Sequence, residues 1–159
     1  PKPVREGLHA LVLISPNFGP KDRAAGLLTL PWAEVVLPRL IPQYEWIAKN
    51  EEQKRFWTMR YPSTALFPMQ ALVEHVRDAS LNDYDVPTLA FYNKGDDVVD
   101  AKRITTWLDA LDAEGRVKAE RVLVIPTAGE DEHVIAGRIV APSQTATFRD
   151  RIVAFVRRQ

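Results

Sequence analysis

The sequence predicts an α/β chain in which three parallel strands, covered by helices, are interrupted by a large helical insert. Short and nearly continuous apolar runs occupy 8–14, 88–92 and 121–125, each closed by turn-forming residues, which is how strands buried on both faces read. A helical pattern separates the second run from the third, giving the strand–helix–strand unit of a parallel sheet. The stretch 20–85 lacks convincing strands and is far longer than a simple crossover requires.

Taken in order, the run LHALVLI at 8–14 ends in the turn of Ser15, Pro16, Asn17, Phe18 and Gly19. The insert carries Pro31, Pro38, Pro42, Pro62 and Pro68 and is dense in aromatics: Trp32, Trp46, Phe56, Trp57, Tyr61 and Phe67. We expect short helices bent by prolines around 33–41, 43–59 and 64–79, the last supported by Leu66, Met69, Val73 and Val76. The second strand follows Val86 and Pro87 and stops at Asn93, Lys94 and Gly95. Asp100 can then cap a helix whose apolar positions, Ile104, Trp107, Leu108 and Leu111, have i, i+3, i+4, i+7 spacing. The third strand stops at Pro126, and a loop through His133 and Pro142 leads to a final helix. That helix places Phe148, Ile152, Phe155 and Val156 on one face, takes Ser143 or a nearby threonine as its cap, and ends in Arg157 and Arg158. Three strands alone leave a buried-type apolar strand at a sheet edge, so a further strand is expected to pair there.

The chain has 159 residues, 46% hydrophobic and 26% charged, within the range of one globular domain able to bury a core. Its 21 basic and 21 acidic side chains cancel, so no global field recruits nucleic acid or anionic lipid, and no nucleic-acid partner is expected. The absence of cysteine removes disulfides, thiolate metal sites and cysteine nucleophiles. No apolar stretch reaches the roughly 20 residues that span a bilayer. A soluble segment is expected, with the compartment, cytoplasmic or periplasmic, left open. The opening Pro1-Lys-Pro-Val lacks a methionine and a targeting pattern, which suggests a cut start with sequence missing upstream.

Asp96 stands just after the second strand and His133 in the loop after the third, so a parallel sheet delivers both to its carboxyl edge, where α/β enzymes hold their chemistry. Asp97 and Asp100 adjoin the acid, and turn formation or capping accounts equally for such aspartates. His133 stands among Glu130, Asp131 and Glu132, which read by themselves as solvated acids. His9 lies at the opposite end of the first strand and His75 on an insert helix, so both read as structural. Three scattered histidines give no metal-ligand spacing, and no metal or cofactor is expected.

The segment Tyr92-Asn-Lys-Gly-Asp-Asp-Val-Val-Asp100, with Glu130-Asp-Glu-His-Val-Ile-Ala-Gly137, resembles the end of an α/β-hydrolase domain, of the carboxylesterase and monoacylglycerol-lipase-like kind with a helical cap. The resemblance implies that 1–19 and 86–159 form the C-terminal part of the hydrolase core, a three-stranded parallel sheet, and that 20–85 is a cap. It also implies that Asp96 is the acid, Asp97 a variable residue and Asp100 a helix cap. The alternative register gives the acid role to Asp97, and Asp22, after the first strand, is a remote second choice. His133 is implied as the base. The family's Gly-x-Ser-x-Gly elbow is absent. Ser15 follows a strand but precedes Pro16, which lacks the amide an oxyanion needs there, and Ser63, Ser80 and Ser143 have no strand-and-turn setting.

The implied activity is therefore hydrolysis of carboxylic esters, with Asp96 and His133 serving a serine that lies outside this chain, in the N-terminal remainder of the same fold or a separate chain. The segment alone is expected to be inactive. The aromatic insert points to an apolar acyl group, while Lys21, Arg23, Arg55 and Arg60 read as surface charges. Two other readings stay open: a non-catalytic interaction module that binds through the aromatic insert, and a phosphoacceptor or acidic metal domain built on Asp96 and Asp97. The large insert and the lack of a further N-terminal acidic pair weigh against the last.

Overall fold

The computed structural model describes residues 8–114 and 116–159, so the first seven residues of the expected core segment 1–19 lie outside it. Three strands, β1 (Leu11–Ile14), β4 (Thr88–Tyr92) and β5 (Glu120–Leu123), form a parallel sheet in the order β1-β4-β5. Leu11 pairs with Thr88 and Ile14 with Phe91, while Leu89 pairs with Glu120 and Tyr92 with Leu123. β4 is central and buried along its whole length, as its unbroken apolar run requires.

Alternation along β4 divides the core. Ala90 and Tyr92 pack with Phe18, Val99 and helix α4 (Ala101–Ala113); Leu89 and Phe91 pack with Val124, Ile135 and helix α5 (Thr145–Val156). One helix therefore covers each face of the sheet. The four apolar positions expected in α4 are all buried, and each of the fully enclosed Ile104, Leu108 and Leu111 contributes about 1.5–3 kcal/mol relative to an exposed side chain. Asp100 caps this helix by accepting from the Lys102 amide at 2.9 Å.

α5 departs from expectation in two respects. Its first residue is preceded by a 3-10 turn, Pro142–Gln144, and no side chain caps it. Ser143 instead bonds Glu130, and Thr145 Oγ1 accepts from the Gly137 amide. Phe148 and Phe155 are buried, but Val156 is 48% exposed.

The segment between β1 and β4 holds a 3-10 helix (Arg23–Thr29), α1 (Ala33–Leu40), α2 (Glu51–Phe56) and α3 (Leu66–Arg77). It also contains a hairpin of β2 (Gln43–Glu45) and β3 (Arg60–Pro62), which overturns the expected helix over 43–59. Tyr44 faces Tyr61 across the hairpin, ring centroids 5.4 Å apart, and the Trp46 indole donates to the Thr58 carbonyl. Only after Asn50, whose side chain accepts from the Gln53 amide, does the chain turn helical. On α3 the buried residues are Phe67, Gln70 and Val73; Met69 and Val76, expected inside, are 37% and 40% exposed. The buried stripe is therefore offset around the helix from the one expected.

Among the described residues the sheet has two open edges: β1 bonds β4 alone and leaves Ile14 44% exposed, and beyond β5 Ile125 is 79% exposed. No helix among the described residues is long and apolar enough to cross a membrane.

Candidate active site

All three parallel strands end at the same edge of the sheet, so the loops that follow them meet there. The loop after β4 turns on Asn93, whose carbonyl oxygen Oδ1 accepts from the Gly95 amide, and then on Asp96. Asp96 is 2% exposed. Its Oδ1 accepts from the amides of Val98 and Val99, each at 2.9 Å, which fixes the carboxylate in one orientation. Its Oδ2 lies 2.9 Å from Nδ1 of His133.

The loop after β5 brings His133 to this point through a second buried carboxylate. Asp131 Oδ1 accepts from the amides of His133 and Val134 at 2.9 and 2.7 Å, and Oδ2 pairs with Lys49 Nζ at 2.9 Å. The loop closes at its base, the Asp131 amide donating to the Val140 carbonyl. From the sheet side Asn93 Nδ2 donates to the Glu132 carbonyl, and the Ser15 hydroxyl donates to the His133 carbonyl at 2.6 Å. Ser15 has φ of 42°, a left-handed conformation uncommon for a non-glycine residue. Its hydroxyl is thereby directed to the histidine backbone. Lys21 reaches across from the loop after β1 to donate to the Asp96 carbonyl.

Electrostatics follow from these contacts. Burial pushes the Asp96 carboxyl up, but the bonds from His133, Val99 and Val98 outweigh it and hold the group below its ordinary value. The bond to Asp96 raises His133 above its ordinary 6.5, against the effect of burial, with smaller contributions from the charges of Asp96, Asp131 and Asp97. No described residue hydrogen-bonds Nε2, and the imidazole side chain is 27% exposed. The pair is thus a histidine held at one nitrogen by a fixed carboxylate, an arrangement able to take up and return a proton at the other.

Of the residues singled out from sequence, Asp96 and His133 come together. Asp97 is exposed and makes no bond to the imidazole; Asp100 caps α4, and Asp22 caps the 3-10 helix after β1. His9 is exposed outside β1, and His75 is exposed on α3. Asp131, grouped in sequence with solvated acids, is 8% exposed. Sequence reasoning missed it, although Asp131-Glu-His-Val repeats the Asp-x-x-Val spacing of Asp96-Asp-Val-Val. Lys21, read as a surface charge, is exposed and also braces the acid loop through the Asp96 carbonyl. Among the described residues no three of His, Cys, Asp or Glu are gathered where they could hold a metal ion.

Trp57 lines a cleft of about 230 Å³ together with Val134, Ala136, Gly137, Arg138, Ile139 and Val140, which follow His133 in sequence. Trp57 is tilted against Trp46 at 5.8 Å. Trp32 and Phe56, by contrast, are 63% and 58% exposed. A larger recess of about 410 Å³, between Arg77, Leu81, Arg103 and Trp107, includes no residue of the loops that carry the acid and the histidine.

No protein-family model matches this chain, and no curated protein matches it. Among solved structures it is similar to a soluble variant of monoglyceride lipase from Saccharomyces cerevisiae, crystallised in complex with a substrate analog. The TM-score is 0.59 at 8% identity, covering 94% of this chain and 56% of that one. The chain therefore spans little more than half the length of that structure. At such low identity the likeness establishes the fold: this is an α/β chain with a three-stranded parallel sheet, hydrolase-like in architecture.

Proposed function

We propose that this chain is the C-terminal portion of a serine hydrolase acting on carboxylic esters, in which Asp96 and His133 are two members of a Ser-His-Asp triad. In this reading, residues 86–159 and the β1 segment belong to the core and 20–85 form a cap. The observation that carries the reading is the 2.9 Å contact between His133 Nδ1 and a buried, doubly amide-bonded Asp96. That contact selects the tautomer with the proton on Nδ1 and leaves Nε2 as the base. A serine supplied from outside these residues attacks the ester carbonyl while its proton passes to Nε2. The imidazolium, stabilised by Asp96, then returns that proton to the leaving alcohol, and water repeats the cycle on the acyl-enzyme. The absence of a Gly-x-Ser-x-Gly pentapeptide and the partial coverage of the lipase support an external serine. The cleft beside Trp57 suits an apolar acyl group.

The test uses the protein as encoded, with its flanking sequence. A fluorophosphonate probe should label a serine, and His133→Ala should suppress both labelling and hydrolysis of p-nitrophenyl esters. Undiminished labelling in that variant removes His133 from its role. The exposure of Trp32 and Phe56 favours one alternative, a non-catalytic module binding through this surface. A full-length protein that no serine probe labels would support it.

A further inference from the structure

The histidine loop is gripped on two sides. Ser15 and Asn93 hold it from the sheet, and three residues of the cap hold it from above: Lys49 pairs with Asp131, the Asn50 side chain donates to the Ile139 carbonyl at 2.7 Å, and Glu52 pairs with Arg138. These grips differ in consequence. The Glu52–Arg138 pair is exposed and sits beyond the histidine, whereas Asp131 bonds the backbone amides of His133 and Val134 themselves. Any shift of Asp131 moves the peptide that carries the imidazole.

Resting on the triad reading above, we propose that Asp131, tied to the cap by Lys49, is a positioning residue for His133, so that docking of the cap on the histidine loop sets the imidazole's alignment. Asp131 has two separable tasks. Oδ1 takes the two amides and shapes the loop; Oδ2 takes Lys49 and joins that loop to the cap. Asparagine keeps the oxygen that serves the amides and loses the charge that serves Lys49. Alanine loses both. Neither residue contacts Asp96, and the first task concerns alignment, where a displacement of about 1 Å costs on the order of 100-fold in rate.

In the full-length protein, Asp131→Ala should therefore lower kcat by roughly 30- to 100-fold with KM within about twofold. Asp131→Asn and Lys49→Met should each lose about three- to tenfold, as should the double variant, because both break the same link. Lys49→Arg should restore most of the rate. Lys49 is 47% exposed at its side chain, so its variants test the link without risk to the core. A folded Asp131→Ala with wild-type kcat, a loss confined to KM, or additive losses for Lys49→Met and Asp131→Asn would overturn the proposal. If His133→Ala leaves hydrolysis intact, the triad reading fails separately. The latch is then judged by amide hydrogen exchange at His133 and Val134, where equal protection in wild type and Asp131→Ala would refute it.

Discussion

Replacing Asp96 by asparagine isolates the charge of the acid from its shape. The asparagine side chain would keep an oxygen for the Val98 and Val99 amides, so the loop after β4 retains its turn. What changes is the atom facing His133 Nδ1 at 2.9 Å, from an anionic acceptor to an amide donor. The imidazole must then present an unprotonated Nδ1, which moves its proton to Nε2 and blocks the base. The imidazolium formed during reaction also loses its counter-ion. At 2.9 Å and an effective dielectric constant of about 20 that interaction amounts to about 6 kcal/mol, or on the order of 10⁴ in rate, the loss known for this change in serine triads. Steady-state hydrolysis of a short p-nitrophenyl ester by the full-length protein measures it. Asp97→Asn is the internal control: its side chain is exposed and unbonded to the ring, so a change within about twofold is expected. An Asp96→Asn variant retaining more than about a tenth of wild-type kcat/KM, or a larger loss from Asp97→Asn, would refute the assignment of the acid.

Four further outcomes follow from the structure. Because the bond to Asp96 raises His133 above 6.5, neutral imidazole and hence kcat/KM should appear on a limb above that pH, moving down in Asp96→Asn; NMR titration of the ring checks it, and a His133 titrating below 6.5 contradicts it. For stability the signs are opposite for the two partners. The contribution of His133 is complete below its unfolded value and lost as pH rises through the raised folded one, whereas that of Asp96 is present above its unfolded value and lost as pH falls through the lowered one, so the pair stabilises most between about 4 and 6.5. Phe91→Ala removes a fully buried ring stacked on Phe148 at 4.2 Å and should cost about 3–5 kcal/mol in urea unfolding; a cost under about 1 would place Phe91 outside the core. Asp100→Ala deletes the cap of α4 and should cost about 1 kcal/mol by the same measurement, with no change expected if the Lys102 amide finds another acceptor.

The parts of the fold legible in the sequence are those where local pattern and tertiary environment agree. β4 is buried on both faces and reads as an unbroken apolar run; α4 has one buried stripe and reads at helical spacing with its cap in place. The hairpin of β2 and β3 was not legible because three residues hold barely one alternation, and its stabilising contacts join residues 43–45 to 60–62 across an intervening helix. The cap of α5 failed for a similar reason: Ser143 is a good cap by type, but Glu130, distant in sequence, takes its amide and hydroxyl. At the site, Asp96 and His133 were visible because a parallel sheet delivers strand ends to one edge. Asp131, Ser15 and Lys49 were hidden, since what they do depends on which backbone groups the fold brings to them.

Asp96 and Asp131 share one local device with different ends. In each, Oδ1 accepts the amides two and three residues on, and these bonds, together with the His133 bond to Asp96 and the Lys49 bond to Asp131, hold both carboxyls below their ordinary values against the effect of burial. Each remaining oxygen, Oδ2, then requires a cationic or donating partner, because an unpaired buried charge is costly. Asp131 is answered by the Lys49 ammonium at 2.9 Å, which ties the histidine loop to residue 49 as a strut. Asp96 is answered by His133, an imidazole, the side chain whose charge ordinarily changes near neutral pH. Asp131 still adds a smaller coulombic contribution to the raised His133 value, while the bond to Asp96 is the largest influence on the ring. The same turn chemistry thus yields a strut at one carboxylate and a carboxylate–imidazole pair at the other, and the choice is made by the side chain that the fold places on Oδ2.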